Sequence, residues 1–183
     1  MARLNSKGID VTDISIRMTE PDDLPAVSNL WGKYMDYHHG LGLAFEGPPD
    51  ASSAWLNSFE RTLGRFSFLW VAVGDGNILG FLLARLKRTP SYLGGVMVGE
   101  ISDLYVDQTF RHLGLGMLLV RTATNYLKSQ GVPSIEVQVL MNNEGALTFW
   151  RKFGFRDELI LLRLKKENAS SNNSQRTINN CLE

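Results

Sequence analysis

The chain has 183 residues, 44% of them hydrophobic and 21% charged, which is typical of one globular domain with a buried core. Its 19 Lys and Arg residues balance 19 Asp and Glu residues, and the formal net charge of zero argues against a general binder of nucleic acid. The one cysteine, Cys181, excludes an intrachain disulfide and any multi-cysteine metal site.

The N-terminal stretch is polar and unpatterned, so we predict a flexible segment over residues 1–13. It contains no secretory signal, and no apolar run in the chain approaches the roughly 20 residues that cross a bilayer. We therefore expect a cytoplasmic protein with no membrane partner. Apolar and polar residues then alternate over residues 14–18, which predicts the first strand.

Two amphipathic helices are predicted next. Residues 19–23 supply the cap, the proline and the acidic side chains of a helix start, and apolar residues at three- and four-residue spacing continue the helix toward Tyr37. A Gly- and Pro-rich loop separates it from a second helix that opens at Asp50. The adjacent His38 and His39 cannot normally face one metal ion together and no third ligand is evident, so we expect no metal site.

Three strands are predicted after the helices. Two apolar runs, residues 66–73 and 78–86, flank the turn sequence Gly-Asp-Gly-Asn and predict a β-hairpin. Residues 96–106 predict a further strand, which carries the acids Glu100 and Asp103. Strand alternation places these two acids on opposite faces of the sheet unless a bulge changes the phase.

The last part of the chain alternates helix and strand before a polar tail. The predicted elements are helices over residues 114–130 and 143–153 and strands over residues 132–140 and 155–164. Residues 166–183 are rich in Asn and Ser and predict a disordered tail, which leaves one domain over residues 14–165. The element order βααβββαβαβ is typical of an α+β (mixed α/β) domain.

A glycine-rich loop joins the strand ending at Val106 to the following helix. Its motif, Arg111-His-Leu-Gly114-Leu-Gly116-Met, places glycines at the helix start, where free N–H groups and the helix dipole favour an anion such as phosphate. Arg111 supplies either a charge for that anion or hydrogen bonds within the loop. The third glycine of a dinucleotide-binding fingerprint and the Gly-Lys-Ser/Thr of a nucleoside-triphosphate loop are both missing. The alternative is a glycine-rich loop that only changes the direction of the chain and binds no anion.

Two linked motifs resemble the GNAT superfamily of N-acetyltransferases. They are Arg111-x-x-Gly114-x-Gly116 after Asp103-Leu-Tyr-Val106, and Asn143-x-x-Ala146-x-x-Phe149-Trp150-x-x-Phe153-Gly154-Phe155. The resemblance implies a single GNAT-like domain, a strongly twisted mixed sheet of about six to seven strands flanked by about four helices. It also implies that two strands splay apart around a cleft for acetyl-CoA. Because dimers are common in the family, a homodimer is one expectation for the oligomeric state.

The resemblance further implies that strand backbone holds the pantetheine arm of acetyl-CoA and that loop N–H groups hold its pyrophosphate. The implied cofactor-binding residues are Leu104, Tyr105, Val106, Arg111, His112, Leu113, Gly114, Leu115, Gly116, Met117, Asn143, Ala146, Phe149 and Trp150. For Ala146 and Phe149, simple packing is an equal alternative. Trp150 stands where many members carry a tyrosine that protonates the CoA thiolate. An indole cannot deliver that proton readily, so we interpret Trp150 as a hydrophobic wall.

The attacking amine has to lose a proton, so a base is required. We prefer Glu100 as base or substrate anchor, with Asp103 as the second acid, although a structural carboxylate is an alternative for each. Tyr105, Tyr34, Tyr37 or solvent remain as proton donors to the thiolate. The catalytic candidates are therefore Glu100, Asp103 and Tyr105.

Together these features predict an acetyl-CoA-dependent N-acetyltransferase without a metal. It would acetylate a primary amine of a small molecule or peptide by direct attack in a ternary complex. The alternative is an acyl-CoA-binding regulatory module with little or no turnover, which the tryptophan at position 150 motivates.

Overall fold

The computed structural model describes residues 14–164. The predicted flexible segment and polar tail, with Cys181, lie outside these residues. The strands of this part of the chain are Ser15–Met18 (β1), Ser67–Gly74 (β2), Asn77–Arg88 (β3), Met97–Val106 (β4) and Ile135–Val137 (β5). Its α-helices are Leu24–Gly40 (α1), Ala51–Glu60 (α2), Leu115–Ser129 (α3) and Glu144–Phe153 (α4). Within residues 14–164 no helix is both long and apolar enough to span a membrane.

One mixed sheet holds all five strands, in the order β1-β2-β3-β4-β5. The first four strands pair antiparallel with their neighbours, whereas β4 and β5 pair in parallel and are joined by α3. A parallel pair needs such a crossover connection, because a tight turn joins only antiparallel strands. The predicted α+β class, with a mixed sheet and four helices, is confirmed.

Helices cover both faces of the sheet. On one face α3 and Trp150 of α4 pack against a buried core that includes Leu82, Ile101 and Leu119. On the other face α1 and α2 pack against a second core, whose members include Trp31, Trp55, Phe81 and Tyr105. Since both faces are covered, β2 and β3 are apolar along most of their length, which is why they read as continuous apolar runs in the sequence.

The predicted hairpin between β2 and β3 is confirmed. Its two central residues, Asp75 and Gly76, have φ angles of 49° and 72°. A two-residue turn with positive φ at both positions matches the right-handed twist of the flanking strands, and Asp-Gly adopts it at little cost.

A bulge in β4 changes which faces the two acids occupy. Leu83 pairs with Asp103 and the next residue of β3, Ala84, pairs with Ile101, so Ser102 is an extra residue. Asp103 lies opposite Leu83 of the α1–α2 core, and Glu100 lies opposite Arg85, whose Nη2 donates to Ser58 Oγ of α2 at 3.2 Å. Both acids therefore lie on the α1–α2 face, and the expectation of opposite faces is wrong because the bulge shifts the alternation by one residue.

The predicted last strand over residues 155–164 is not formed, and β5 is shorter than the predicted 132–140. The described sheet thus has five strands rather than six to seven, and the element order ends with α4. The apolar pattern of residues 155–164 is that of a strand, but a strand exists only where a neighbouring edge pairs with it. Within the described chain this segment pairs with no edge.

Candidate active site

A cleft opens where β4 and β5 part. β5 pairs with β4 only over Gly99, Glu100 and Ile101, whereas β4 continues to Val106. Beyond Ile101 no strand of the described chain pairs with β4 on the side away from β3. Leu104, Tyr105 and Val106, which the sequence assigns to the pantetheine arm, form this open edge. Free N–H and C=O groups along a strand edge are suited to an extended ligand that binds like an added strand.

The open edge leads directly to the start of α3. His112 and Gly114 have φ angles of 65° and 85°, and this left-handed geometry turns the loop into the helix. The first N–H groups of α3 have no partner inside the helix, and the positive end of its dipole lies there. Leu115 is buried and anchors this turn, while Gly116 and Met117 follow it in the open first turn. The structure thus brings the predicted pyrophosphate loop to one end of the predicted pantetheine edge.

Arg111 is used within the loop. Its Nε donates to the Val106 carbonyl at 3.1 Å, and its guanidinium lies over the rings of Tyr37 and Tyr105 at 5.3 and 5.5 Å. The internal hydrogen bond, one of the two roles that the sequence left open, is formed. Arg111 therefore fixes the end of β4 relative to α1.

The opposite wall of the cleft is the start of α4. Asn143 is buried, and its Oδ1 accepts from Ala146 N at 3.1 Å and from the Tyr37 hydroxyl at 3.4 Å. These contacts tie the end of α1 to the start of α4. Phe149 lies against α3, since a Cβ atom built on Gly116 would lie 3.7 Å from its ring.

Trp150 packs into the core rather than lining an open site. It is buried, with ring centroids 5.1 Å from both Phe149 and Phe155. Ala146 and Phe149 also pack against this core, partly buried. A hydrophobic role for Trp150 fits this geometry, whereas its place at the wall of the cofactor cleft stays a prediction.

The two acids have different surroundings on the α1–α2 face. Trp55 Nε1 donates to Asp103 Oδ2 at 3.4 Å, and the Trp31 and Trp55 rings stack with centroids 5.1 Å apart. Burial raises the pKa of Asp103 from 3.8 to about 6, against the opposing effects of the Trp55 hydrogen bond and the Arg85 charge. Glu100 keeps part of its carboxyl exposed and lies 3.9 Å from Lys87 Nζ. Asp103 therefore changes charge closer to neutral pH than an ordinary aspartate does.

Sequence reasoning missed the partners of Asp103. Trp31, Trp55 and Arg85 are spaced like ordinary core or strand residues, and only the fold brings them to this carboxyl. Among the described residues three buried polar side-chain atoms have no hydrogen-bond partner: Trp31 Nε1, Arg85 Nε and Ser102 Oγ. Such atoms are costly unless a ligand or water meets them.

A second depression of about 510 Å³ lies between α1 and the end of β4. It is lined by Lys33, Asp36, Tyr37, Tyr105, Asp107, Gln108 and Thr109. Lys33 Nζ and Asp107 Oδ2 form an ion pair at 2.7 Å within it. Tyr105, the third catalytic candidate, thus reaches this opening. Tyr34 lies deeper, where burial raises the pKa of its hydroxyl and makes it a poor proton donor.

Over residues 14–164 no group of three or more His, Cys, Asp or Glu side chains is arranged to hold a metal ion. In particular, the His38 and His39 rings face backbone carbonyls, those of Tyr34 at 2.8 Å and Phe45 at 3.1 Å respectively.

Comparison with known proteins gives consistent results. Residues 30–155 match the acetyltransferase (GNAT) family. The chain is 29% identical over 158 residues to a glucosamine 6-phosphate N-acetyltransferase of Trypanosoma brucei brucei, covering 85% of this chain and 97% of that protein. It is 30% identical over 146 residues to a mycothiol acetyltransferase of Amycolatopsis mediterranei, covering 78% of this chain but only 46% of that longer protein.

Solved structures share the same fold. A mutant protein of Bacillus halodurans has a TM-score of 0.71 at 25% identity, covering 84% of this chain and 99% of that chain. An aminoglycoside acetyltransferase from an uncultured soil metagenomic sample has a TM-score of 0.64 at 19% identity, covering 86% and 97% of the two chains. At this identity the second likeness concerns the fold alone.

Proposed function

The chain belongs to the GNAT family of acetyltransferases and is an acyltransferase, and from that premise we propose that it transfers the acetyl group of acetyl-CoA to a primary amine. The acceptor is a small molecule or a peptide, and the amine attacks directly in a ternary complex. The observation that carries the proposal is the open edge of β4 after Ile101, which runs straight to the exposed start of α3. We propose residues 14–165 as the catalytic unit.

Acetyl-CoA lies along this edge in the proposal. The backbone of Leu104, Tyr105 and Val106 hydrogen-bonds the pantetheine arm, and the N–H groups from His112 to Met117 hold the pyrophosphate. Gly116 leaves room for the phosphates, and the wall of Asn143, Ala146 and Phe149 closes the other side. Arg111 supports the site indirectly, since its bond to the Val106 carbonyl fixes the end of the edge.

The reaction needs one base at the acceptor amine. An amine near neutral pH is mostly protonated, so one proton has to leave the ammonium group before the nitrogen can attack the thioester carbonyl carbon. A second proton leaves the nitrogen as the amide forms and balances the one that the thiolate takes up. A C–N bond forms, the C–S bond breaks, and CoA departs as a thiolate. A thiolate is stable enough near neutral pH to leave without an acid at position 150. Tyr105, which is buried and reaches the depression beside α1, is the proposed proton donor to the thiolate.

We assign the proton transfer to Asp103 and the anchoring of the amine cation to Glu100. Asp103 lies beyond the point at which β5 leaves β4, whereas Glu100 lies in the paired part. Its pKa of about 6 suits a base that works near neutral pH, because it is ionised there yet binds a proton readily. Ser102, which precedes it in β4, and Arg85, whose charge lowers its pKa, each carry a buried polar atom with no partner among the described residues, which supports a polar ligand at this place.

Titration calorimetry of the full chain with acetyl-CoA tests the proposal, with ATP and NAD at matched ionic strength as controls. We expect selective binding in the micromolar range, a free energy of about −8 kcal/mol. A panel of amines then identifies the acceptor by release of free CoA. Equal or tighter binding of ATP or NAD would overturn the placement of acetyl-CoA. Binding of acetyl-CoA with no turnover on any amine would favour the regulatory module instead.

Glu100→Gln is expected to raise KM for the amine about tenfold and to change kcat less. The reason is that removing a partly exposed carboxylate weakens attraction to a cation by roughly 1 kcal/mol or a little more. Steady-state kinetics over a range of amine concentrations measures the effect.

Glu136→Gln is the matched control, because Glu136 of β5 also pairs with Lys87, at 3.1 Å. It should leave KM unchanged. If both variants behave alike, the effect belongs to Lys87 and Glu100 does not anchor the substrate.

A further inference from the structure

Two indole groups meet on the α1–α2 face of the sheet. Trp31 of α1 and Trp55 of α2 stack with ring centroids 5.1 Å apart and ring planes inclined by 19°. Both side chains are buried in the same core. An indole has one N–H donor and no acceptor, and when buried this N–H usually finds a polar partner. The stack therefore brings two donors from different helices close together.

Asp103 lies next to both indole groups. Trp55 Nε1 donates to Asp103 Oδ2 at 3.4 Å, which is a long hydrogen bond. Trp31 Nε1 is buried with no hydrogen-bond partner among the described residues. Its N–H nevertheless acts on the same carboxyl, because burial raises the pKa of Asp103 while the Trp55 and Trp31 N–H groups both lower it. One donor is thus loosely engaged and the other is free to engage.

The charged and titratable groups that face Asp103 come from three elements. The Arg85 charge on β3 lowers the pKa of Asp103, and the Glu100 charge on β4 raises it. On α1 the Tyr34 hydroxyl is buried, and its burial, followed by the Asp103 charge, raises the pKa of that hydroxyl, so it stays neutral. Arg85 and Glu100 act by charge and in opposite senses. The two indole N–H groups are the directional donors that can orient the carboxylate.

We propose that Trp31 and Trp55 are positioning residues that hold the Asp103 carboxylate for proton transfer, each indole N–H donating to it when it is ionised. The inference rests on the proposed function of Asp103 as the base. Hydrogen bonds to an ionised acceptor are shorter and stronger than those to a neutral one, so both donors tighten as the carboxyl loses its proton. Because the two indoles belong to different helices, the arrangement fixes the carboxylate relative to α1 and α2.

The indole N–H signals in the NMR spectrum of the nitrogen-15-labelled full chain test the proposal without any substrate. The chain has 4 Trp residues, so each gives one such signal. Raising the pH through about 6 should move the Trp31 and Trp55 signals downfield together, with one shared midpoint. Trp70 and Trp150 lie in the core on the other face and should not move. A Trp31 signal that stays in place would overturn the proposal.

Asp103→Asn shows which group causes the transition, because Glu100 and His38 still titrate in that variant. The movement of both indole signals should vanish. Signals that still move would trace the effect to another group and would contradict the pairing with Asp103. Acetyl transfer plays no part in these spectra, so a failure of the proposed function leaves them unchanged and is distinguishable from a failure of this inference.

The kinetic test removes one donor and keeps an aromatic ring in the stack. In Trp31→Phe the ionised carboxyl loses a hydrogen bond, so the pKa of Asp103 rises and the acid limb of kcat/KM should move up by about one pH unit, or tenfold in proton affinity. Phe59→Leu is the matched control, because Phe59 packs edge-on against Trp55 at 5.0 Å in the same core but carries no polar atom. It should leave the acid limb in place.

Circular dichroism shows whether both variants are folded. An acid limb that stays at its wild-type position in Trp31→Phe would reduce the indole pair to ordinary core packing. The same conclusion would follow if Phe59→Leu moved the limb as far as Trp31→Phe does.

Discussion

Gly116→Val abolishes the binding of acetyl-CoA while leaving the fold intact, if the start of α3 holds the pyrophosphate. Gly116 lies in the first turn of α3, and a Cβ atom there meets nothing closer than the Phe149 ring at 3.7 Å. The protein therefore has room for a Cβ atom at position 116. The φ angle of Gly116 is also outside the left-handed region, so the backbone does not require glycine there. In the proposed arrangement the two methyl groups of valine take up space that the phosphates need.

The expected loss of affinity is large. Hydrogen bonds to a charged group contribute about 1.5–3 kcal/mol each, and displacing the pyrophosphate removes at least two of them. The affinity should fall at least about 100-fold, roughly 3 kcal/mol. Calorimetric titration with acetyl-CoA measures this directly, with circular dichroism and thermal unfolding to show that the variant is folded.

Gly32→Val is the matched control for this substitution. Gly32 lies within α1, and a Cβ atom there meets nothing within 4 Å. The same exchange of glycine for valine in a helix should leave the affinity for acetyl-CoA unchanged. A folded Gly116→Val protein that binds acetyl-CoA like the wild type would remove the pyrophosphate from this helix start.

Local sequence signals predicted the parts of the site that depend on local geometry. Asp75 and Gly76 predicted the hairpin because their positive φ angles follow from residue type. Gly114 likewise marked the turn into α3, with a φ angle of 85°. Each of these features depends on residues that are neighbours in the chain, so spacing alone locates them.

The parts that sequence did not predict depend on distant pairing. The bulge at Ser102 arises from the register between β3 and β4, and no residue type in the sequence indicates it. Trp55 meets Asp103 across 48 positions of sequence. The pattern of residues 155–164 is that of a strand, but whether a strand forms depends on a neighbouring edge that pairs with it, and spacing along the chain does not reveal that edge.

Asp103→Asn should give a protein that is more stable and much less active. Because burial raises the pKa of Asp103 from 3.8 to about 6, the folded protein favours the neutral carboxyl. Below about pH 4 the Asp103 carboxyl is protonated in both the folded and the unfolded state. Its cost to the free energy of unfolding is then smallest. As the pH rises through 6, the folded state has to hold a buried charge, which costs up to about 3 kcal/mol. Asparagine never ionises and still accepts the Trp55 N–H.

The free energy of unfolding at two pH values measures this effect. The advantage of Asp103→Asn over the wild type should be small near pH 4 and approach about 3 kcal/mol above pH 7. Asp23→Asn should change the free energy of unfolding in the opposite direction. Arg17 donates to both oxygens of Asp23 at 2.6 and 2.9 Å and lowers the pKa of this carboxyl. That variant should be less stable than the wild type at every pH above the carboxyl's ordinary pKa of 3.8, and the deficit should shrink as the pH falls through the lowered pKa of the folded state.

The activity of Asp103→Asn should fall, although its stability rises. Removing a general base typically costs a factor of about 100 to 10,000, so we expect kcat to fall at least about 100-fold. The wild-type pH profile of kcat/KM should have an acid limb near pH 6, and the residual activity of Asp103→Asn should lack it. Stability that rises while the acid limb disappears identifies a carboxyl kept buried for catalysis at the expense of the fold. An unchanged acid limb would instead leave Asp103 a structural carboxyl and return the base to Glu100.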